Sequence, residues 1–539
     1  MERREFLKSL MTAPALSSFD WDAFPDGGRA RVREGEFDAI IIGSGLGGLS
    51  CGYAFARKNF RPLVLEQHDR PGGYATSFSR PGGFVFDVSL HSTVVAQRGD
   101  LHNLIPGLPE ITDVEFVPHP HLYRAIFPEH DLVVPQKDLP GYIKLLAGHF
   151  PDEETGIRGI ISDMEGLARD IGRFSGAGSM PDMSRFSTEF PYLFRYQGKT
   201  WGQMADERIK NPKLKAIVSN LWGYYGLPPS RLSCYYYALP TIGYLAQGGY
   251  YPRGTSQKIS SALVQYIEGK GGKVLLRTPV EEILVNDHAA TGVRTADGKR
   301  YAARVIVSNA GAHGTFQSMM NEGAYLKEYL ARLDSYSVSL SAFQVFLGLK
   351  TDLVGKLGLT DSEVFYHGGY DLEAEYQLAV NADVERGWYG LMLYDNLYRG
   401  YSPKGKNTIN IIALQGYDHW KQYEADYFKG NKSSYRAEKQ RMARILISKV
   451  EETLLPGLSN SVQVMEAGSP LTHARYTRNY RGAIYGWDQT LDNSGPNRLP
   501  HKTPIRNLYL AGAWTTPGHG YGGVIFSGLQ CFAEIMKTW

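Results

Sequence analysis

Apolar positions cluster most tightly where the chain reads Phe37-Asp38-Ala39-Ile40-Ile41-Ile42, a short β-branched run suited to a central strand covered on both faces. Pro62-Leu63-Val64-Leu65 repeats the pattern, and residues 49–59 between the two have helix-compatible spacing. Near the other end, Leu508-Tyr509-Leu510 again predicts a strand running into glycine. Residues 122–127 read as a strand, and residues 429–449 alternate charges at helical spacing, as on a solvated helix face. No run approaches the roughly 18 apolar residues of a spanning helix.

Punctuation gives the first strand its meaning. It runs directly into Gly43-Ser44-Gly45-Leu46-Gly47-Gly48, so strand, glycine turn and helix follow in the order a dinucleotide-binding unit requires. Gly43 allows a tight turn, Gly45 lets backbone approach a pyrophosphate, and Gly48 lets helix pack on strand. The helix start then offers unpaired N–H groups to phosphate. Glu66, at the end of the second strand, is placed to accept hydrogen bonds from ribose hydroxyls. After residue 510 a second glycine-rich turn, from Ala511 to Gly528, offers backbone N–H groups to phosphate or to a ring system.

The surrounding motifs carry a resemblance. Glu66, Arg70, Gly72 and Gly73 form an E-x-x-x-R-x-GG segment, continued by Tyr74-Ala75-Thr76 and a hairpin over residues 80–87. Pro252-Arg253-Gly254-Thr255-Ser256 precedes a helix, followed by Thr278-Pro279-Val280 and Val307-Ser308-Asn309-Ala310. With the GA-W-T-x-PG-x-G-x-G-G segment from Gly512 to Gly523, the whole resembles the phytoene desaturase, carotenoid isomerase and retinol saturase family of FAD enzymes. The resemblance covers about residues 37–90, 250–311 and 500–539. It departs from the wider superfamily at Ala513, where many relatives carry an Asp.

That resemblance implies an α/β fold: a glutathione-reductase-like Rossmann FAD-binding domain with an interleaved α+β substrate domain. The expected divisions are 1–36 for a signal and linker, 37–90, 250–315 and 466–539 for the FAD-binding domain, and 91–249 and 316–465 for the substrate domain. Expected FAD contacts are Gly43, Ser44, Gly45, Leu46, Gly47, Gly48, Glu66, Gln67, Gly72, Gly73, Tyr74, Ala75, Val280, Gly512, Gly523 and Val524. Val280 is expected to meet the adenine through its backbone. The implied reaction is desaturation, saturation or isomerisation of a long hydrophobic polyene or unsaturated lipid. The alternatives are a flavin amine oxidase, which shares the early motifs, and a non-catalytic flavin or lipid carrier.

Family position sets His91, His519 and Tyr521 beside the flavin ring, where a side chain titrating near neutrality or a weak acid can deliver a proton. Each histidine also has a bland reading, as a hydrogen-bonded group at a domain seam or in a glycine turn. Residues 221–251 are rich in tyrosine, among them Tyr224, Tyr225, Tyr235, Tyr236, Tyr237, Tyr244, Tyr250 and Tyr251, which suits either an apolar tunnel or ordinary packing. His119, His121 and His130 lack the cysteine or paired carboxylates of a metal site, so no metal is expected.

Composition trims the remaining classes. With 58 Lys+Arg against 55 Asp+Glu in 539 residues, the formal charge of +3 disfavours a nucleic-acid partner. Three separated cysteines exclude a disulfide framework. Arg3-Arg4-Glu5-Phe6-Leu7-Lys8 matches a twin-arginine export pattern, which predicts export of a folded protein to the periplasm; a charged start of a cytoplasmic protein is the alternative. A peripheral membrane contact suits a substrate that lives in the bilayer. Oligomeric state is left open.

Overall fold

The structure, a computed structural model, describes residues 19, 21–27, 37–89, 91–98, 102–105, 107–175, 182, 184–320 and 326–539. The export pattern of residues 3–8 lies outside them.

One sheet grows from the glycine-flanked strand. Phe37–Ile42 runs parallel to Pro62–Leu65 on one side and to Arg300–Ser308 on the other, and Lys273–Leu275 lies beyond Pro62–Leu65. Ala39, Ile40 and Ile41 are fully buried, which explains why the run is apolar without alternation. The long strand Arg300–Ser308 serves two neighbours on its outer edge. Its first residues pair antiparallel with Ala289–Thr295, and its last three pair parallel with Leu508–Leu510, in the register Ile306 with Leu508. Three distant parts of the chain therefore meet in one sheet, and the helices Leu46–Arg57, Gln257–Gly269 and Tyr521–Met536 share one core on it.

The second sheet is mainly antiparallel. Its order is Val462–Gly468, Ser341–Leu349, Asn407–Gln415, Tyr389–Met392, Glu363–Tyr366, Tyr123–Phe127 and His130–Val134. Helices Glu154–Ser175, Trp222–Tyr225 and Cys234–Gln247 pack over one part of it. The hairpin Ser77–Arg80 with Phe84–Asp87 ties the sheets together. Phe84 and Phe86 cluster with Phe346, Gln344 Nε2 donates to Val88 O at 2.8 Å, and Asn410 Nδ2 donates to Asp87 O at 3.1 Å. The architecture is the Rossmann FAD-binding fold with an interleaved α+β domain that the motifs implied.

Several boundaries differ from those read in the sequence. The nucleotide helix begins at Leu46 rather than at 49, because the glycine turn supplies its first residues. Residues 95–116 fall in the expected substrate domain, yet Val95, Ile105, Leu108, Ile111, Val114 and Phe116 are buried in the core under the nucleotide helix. The division at 465/466 falls inside the strand Val462–Gly468, and the helix Pro470–Thr477 packs on Ser341–Leu349. Part of the expected linker is docked: Trp21 meets Tyr53 edge-on at 5.9 Å and Phe24 meets Phe532 at 5.5 Å. The charged stretch 429–449 is broken at Gly430, whose φ of +93° ends Asp418–Lys429 before Ser433–Thr453 starts. The second helix is not solvated all round, since Tyr435, Met442, Leu446 and Val450 are buried.

The tightest joint lies where the C-terminal helix crosses the nucleotide helix. A Cβ at Gly528 collides with Ser50 Oγ and the Gly47 carbonyl, and Ser50 Oγ lies 3.0 Å from Ile525 O across the same crossing. Replacing Gly528 by leucine forces backbone apart, and overpacking of this kind costs about 1–3 kcal/mol or more. Gly528→Leu is expected to lower the thermal midpoint and the bound-cofactor content together. Gly148→Ala, at a helical position with open space, is expected to leave both unchanged or to raise stability by up to about 1 kcal/mol. Calorimetry with an absorbance count of cofactor per chain checks both.

Candidate functional site

Gly43, with φ +92°, turns the chain at the end of the first strand so that the nucleotide helix starts at once from Gly45. The loop is held from behind. Ser44 donates to Glu66 Oε2 through its backbone N at 2.8 Å and its Oγ at 2.7 Å, and His68 N donates to Oε1 at 2.8 Å. Three donors thus fix the carboxylate of Glu66 at the strand end. Gly47 faces Gly512 so closely that a Cβ on Gly47 sits 2.7 Å from Gly512 Cα. Asn309 stands in the middle, its side chain the nearest neighbour of Gly43 and Gly45, while its N donates to Ile42 O at 2.9 Å.

These groups line one end of a continuous cavity of about 1910 Å³. Ligand sites for small molecules span roughly 300–1,000 Å³. The space therefore takes a dinucleotide and a second elongated molecule. Gly43, Gly45, Leu46, Gly47, Glu66, Gln67, Gly72, Gly73, Tyr74, Ala75, Val280, Gly512, Gly523 and Val524 all face it. Ser44 and Gly48 do not: Ser44 is spent on Glu66, and Gly48 lies under the loop, where a Cβ collides with the Gly43 carbonyl. These two expected contacts are supports, because the turn needs its own backing before it can hold phosphate. The backbone-lined cradle and the fixed carboxylate fit FAD: the glycine turn would hold the pyrophosphate and Glu66 the ribose.

At the far end, Gly512 to Ile525 form the second glycine turn. Arg498, which no motif singled out, organises it. The guanidinium is buried and donates to the carbonyls of Ala513 at 2.6 Å, Thr515 at 3.1 Å, Trp487 and Asp488 at 3.2 Å, and Asn493 at 3.3 Å. Burial lowers it to about 10, so it remains a cation at neutral pH. One planar fork thereby satisfies two carbonyls of the glycine turn and three of the segment 487–493, and ties the two together.

His91, His519 and Tyr521 also face the cavity. His91 stacks on Tyr224, with ring centres 5.6 Å apart and planes 3° from parallel. His519 lies against Tyr236 and Tyr485 at 5.1 and 4.4 Å, with its Nε2 3.3 Å from Tyr224 O. Burial lowers His91 to about 4. Burial first, then the charge of Arg498, lowers His519 to about 3. Both rings are therefore neutral at pH 7, which corrects the expectation of imidazoles titrating near neutrality. Burial, then Asp87, raises Tyr521 well above the usual phenol value. His91 Nδ1, His519 Nδ1 and the Tyr521 hydroxyl are buried without a protein partner, which leaves three polar atoms for ligands.

The tyrosine-rich stretch divides between its two readings. Tyr224, Tyr225, Tyr235, Tyr236 and Tyr244 wall the cavity, while Tyr237, Tyr250 and Tyr251 pack in cores. His119 and His130 lie apart, beside Ser362 Oγ at 2.6 Å and Tyr370 OH at 2.5 Å. Removing the fork of Arg498 leaves five carbonyls short of a donor, at about 1–3 kcal/mol for each one that stays dry. Arg498→Leu is expected to lose the bound dinucleotide and several degrees of thermal midpoint, and Arg498→Lys to rescue neither fully, as absorbance and calorimetry report.

The chain is similar over most of its length to known proteins, among them two in sequence and one in fold. The chain is 26% identical to the all-trans-retinol 13,14-reductase of Danio rerio over 94% of this chain and 87% of that protein. It is 26% identical to the chloroplastic prolycopene isomerase of Arabidopsis thaliana over 98% of this chain and 88% of that protein. An oxidoreductase of Methanosarcina mazei has the same fold, with a TM-score of 0.60 and 15% identity over 93% of this chain and 100% of that one. The family model described as flavin containing amine oxidoreductase matches residues 46–536, and the chain belongs to that family.

Proposed function

We propose that this FAD-dependent oxidoreductase acts on a long hydrophobic polyene, by saturation, desaturation or isomerisation of its double bonds. The observation that carries the reading is the chamber beyond the cradle. Beside His91 and His519 its lining includes aromatic and aliphatic residues, among them Tyr224, Tyr236, Leu239, Ile242 and Tyr485. The acidic residues that reach the cavity are Glu66, Asp69, Glu165 and Glu466. Glu66 is held by Ser44 and His68, Asp69 pairs with Arg277, and Glu466 pairs with Arg80. Three of these four carboxylates are thus already engaged, which disfavours a cationic substrate. A polyene loses nothing there, since the tyrosine faces are apolar and the hydroxyls are tied elsewhere: Tyr236 OH donates to His519 O at 2.9 Å and Tyr485 OH to Gly223 O at 2.6 Å. The relatives named as acting on a retinol and on prolycopene support the same class of substrate.

FAD supplies the hydride chemistry in this site. The chain's own residues align an extended molecule along the tyrosine wall, exclude water from the chamber and keep both imidazoles uncharged. Purified holoenzyme incubated without oxygen with all-trans-retinol or a carotene, starting from oxidised and from reduced flavin, is expected to give a polyene product by chromatography. Amine-dependent peroxide in a parallel assay in air, without polyene conversion in either, overturns the reading in favour of an amine oxidase.

Because His91 and His519 take up protons only near pH 4 and 3, kcat/KM for the polyene is expected to show no histidine limb between roughly pH 5 and 8. A limb there that His91→Phe or His519→Asn abolishes, measured as a pH profile, contradicts the neutral assignment.

A further inference from the structure

Where the edge strand Val462–Gly468 of the second sheet meets the cavity, positive charge collects with little to balance it. Lys432, Arg436, Lys439 and Arg475 all line the cavity there. Lys432 caps the helix Ser433–Thr453, and steps of four and three residues set Arg436 and Lys439 on the same face. Arg475 arrives from the helix Pro470–Thr477, and Arg80 from the hairpin strand Ser77–Arg80. Glu466 is shared between two of them, 2.8 Å from Arg80 Nη2 and 3.7 Å from Lys439 Nζ, and Lys439 Nζ also donates to Ala467 O at 3.0 Å. Among the described residues, Lys432, Arg436 and Arg475 form no ion pair. Lys432 Nζ lies 4.2 Å from the centre of the Tyr427 ring and the Arg475 guanidinium 5.4 Å from that of Tyr476, contacts that seat a cation without cancelling its charge. Partial burial, then the like charges of Arg475, Arg436 and Lys439, lowers the proton affinity of Lys432. Lys432 and Lys439 are half-buried and Arg436 and Arg475 exposed, so the group stands at an opening of the cavity. The opening adjoins the cradle: Gln67 Nε2, next to Glu66, donates to Tyr476 O at 2.8 Å, and the His68 ring meets that of Tyr476 at 5.4 Å.

We propose that this opening binds a phosphate group, carried by a phospholipid headgroup or by a soluble organic phosphate, and held by Lys432, Arg436 and Arg475. The inference goes beyond the polyene reading and does not need it. A solvated helix face spreads its charges outward, whereas these side chains converge from two helices on one concave place. Like charges gathered so closely repel one another, and an anion between them turns that repulsion into attraction.

The donor set selects the kind of anion. A carboxylate carries one charge and fills one guanidinium fork, which leaves the other cations unanswered. A phosphate brings up to two charges and three or four acceptor oxygens, enough for two forks and an ammonium. The pyrophosphate of FAD is not that group, because the glycine turn already provides for it. The helices that bear the cations pack instead on Ser341–Leu349 and Val462–Gly468 of the second sheet. A headgroup held here sets the opening of the cavity against an anionic lipid surface, and a soluble phosphate held here brings its carrier beside the cradle.

The test uses the flavin-loaded full chain with two probes: inorganic phosphate, and vesicles of phosphatidic acid in phosphatidylcholine set against phosphatidylcholine alone. Arg436→Gln and Arg475→Gln each remove one fork. Lys429→Gln, at the end of the helix Asp418–Lys429, removes a cation that is not part of the cavity lining. Titration calorimetry at constant ionic strength is expected to show phosphate binding by the wild type, weakened on the order of 10-fold in each arginine variant and unchanged in Lys429→Gln. Sedimentation with the phosphatidic acid vesicles that both arginine variants lose and Lys429→Gln keeps assigns the phosphate to a headgroup. Phosphate binding without such sedimentation assigns it to a soluble molecule. Binding of neither probe overturns the site, and so does a response that is the same in all three variants, which is general screening. Loss of bound flavin from the arginine variants, counted by absorbance, gives the cations to the cofactor and overturns the site as well. No arm of the test measures polyene turnover, so the site and the proposed function stand or fall separately.

Discussion

Close contact of backbone with backbone at the start of the nucleotide helix is the constraint on which the rest of the molecule depends. Gly47 approaches Gly512, and Gly528 rests on Gly47 and Ser50, at separations that leave no room for a Cβ. Interiors are packed as densely as organic crystals, so a joint of this kind has one solution. That solution fixes the second glycine turn against the first. The short strand Leu508–Leu510, with only three paired residues, needs this support to hold its register beside Arg300–Ser308. Once the two turns are set, both line one continuous cavity.

Charge in the site is arranged by exclusion. Arg498, a buried cation beside the second glycine turn, is engaged with carbonyl oxygens, and the histidines on the chamber wall are uncharged at neutral pH. Polar atoms are present but mostly committed: Tyr236 to a backbone oxygen, Tyr485 to another, Tyr224 and Tyr244 to Glu363. A chamber built in this way offers an apolar molecule faces of rings instead of fixed charge. Each hydroxyl that points away also removes a site where water binds.

How much of this was legible depended on whether the signal was local. The strand, turn and helix from Phe37 to Arg57 could be read because their residues are consecutive and their periods differ sharply. The α/β class followed from them and from the resemblance. Arg498 could not be read, because one arginine in a loop has no periodicity, and its five partners lie on both sides of it in the folded chain. Glu363 was hidden for a similar reason: in the strand EVFY a single acid looks like a solvent-facing position, and only the tertiary packing buries it. The domain divisions failed where residues 95–116 join the nucleotide core, because the apolar residues there are spaced irregularly along short strands and turns. His91 and His519 line the cavity, but their lowered proton affinity was not legible, since burial cannot be inferred from neighbours in the chain.

The crossing of the last helix has a consequence for how the protein is made. Translation delivers the strand Phe37–Ile42 and the first glycine turn early, but their partners Gly512 and Gly528 leave the ribosome some hundreds of residues later. At about 5–20 residues per second the nascent chain waits tens of seconds with half a cofactor cradle and no lid on it. During that interval the tyrosine-rich wall is also without its partner, since His519 and Tyr485 have not been synthesised. Cofactor uptake is therefore a late event tied to completion of the helix Tyr521–Met536, and the unfinished chain is the species that most needs protection from aggregation.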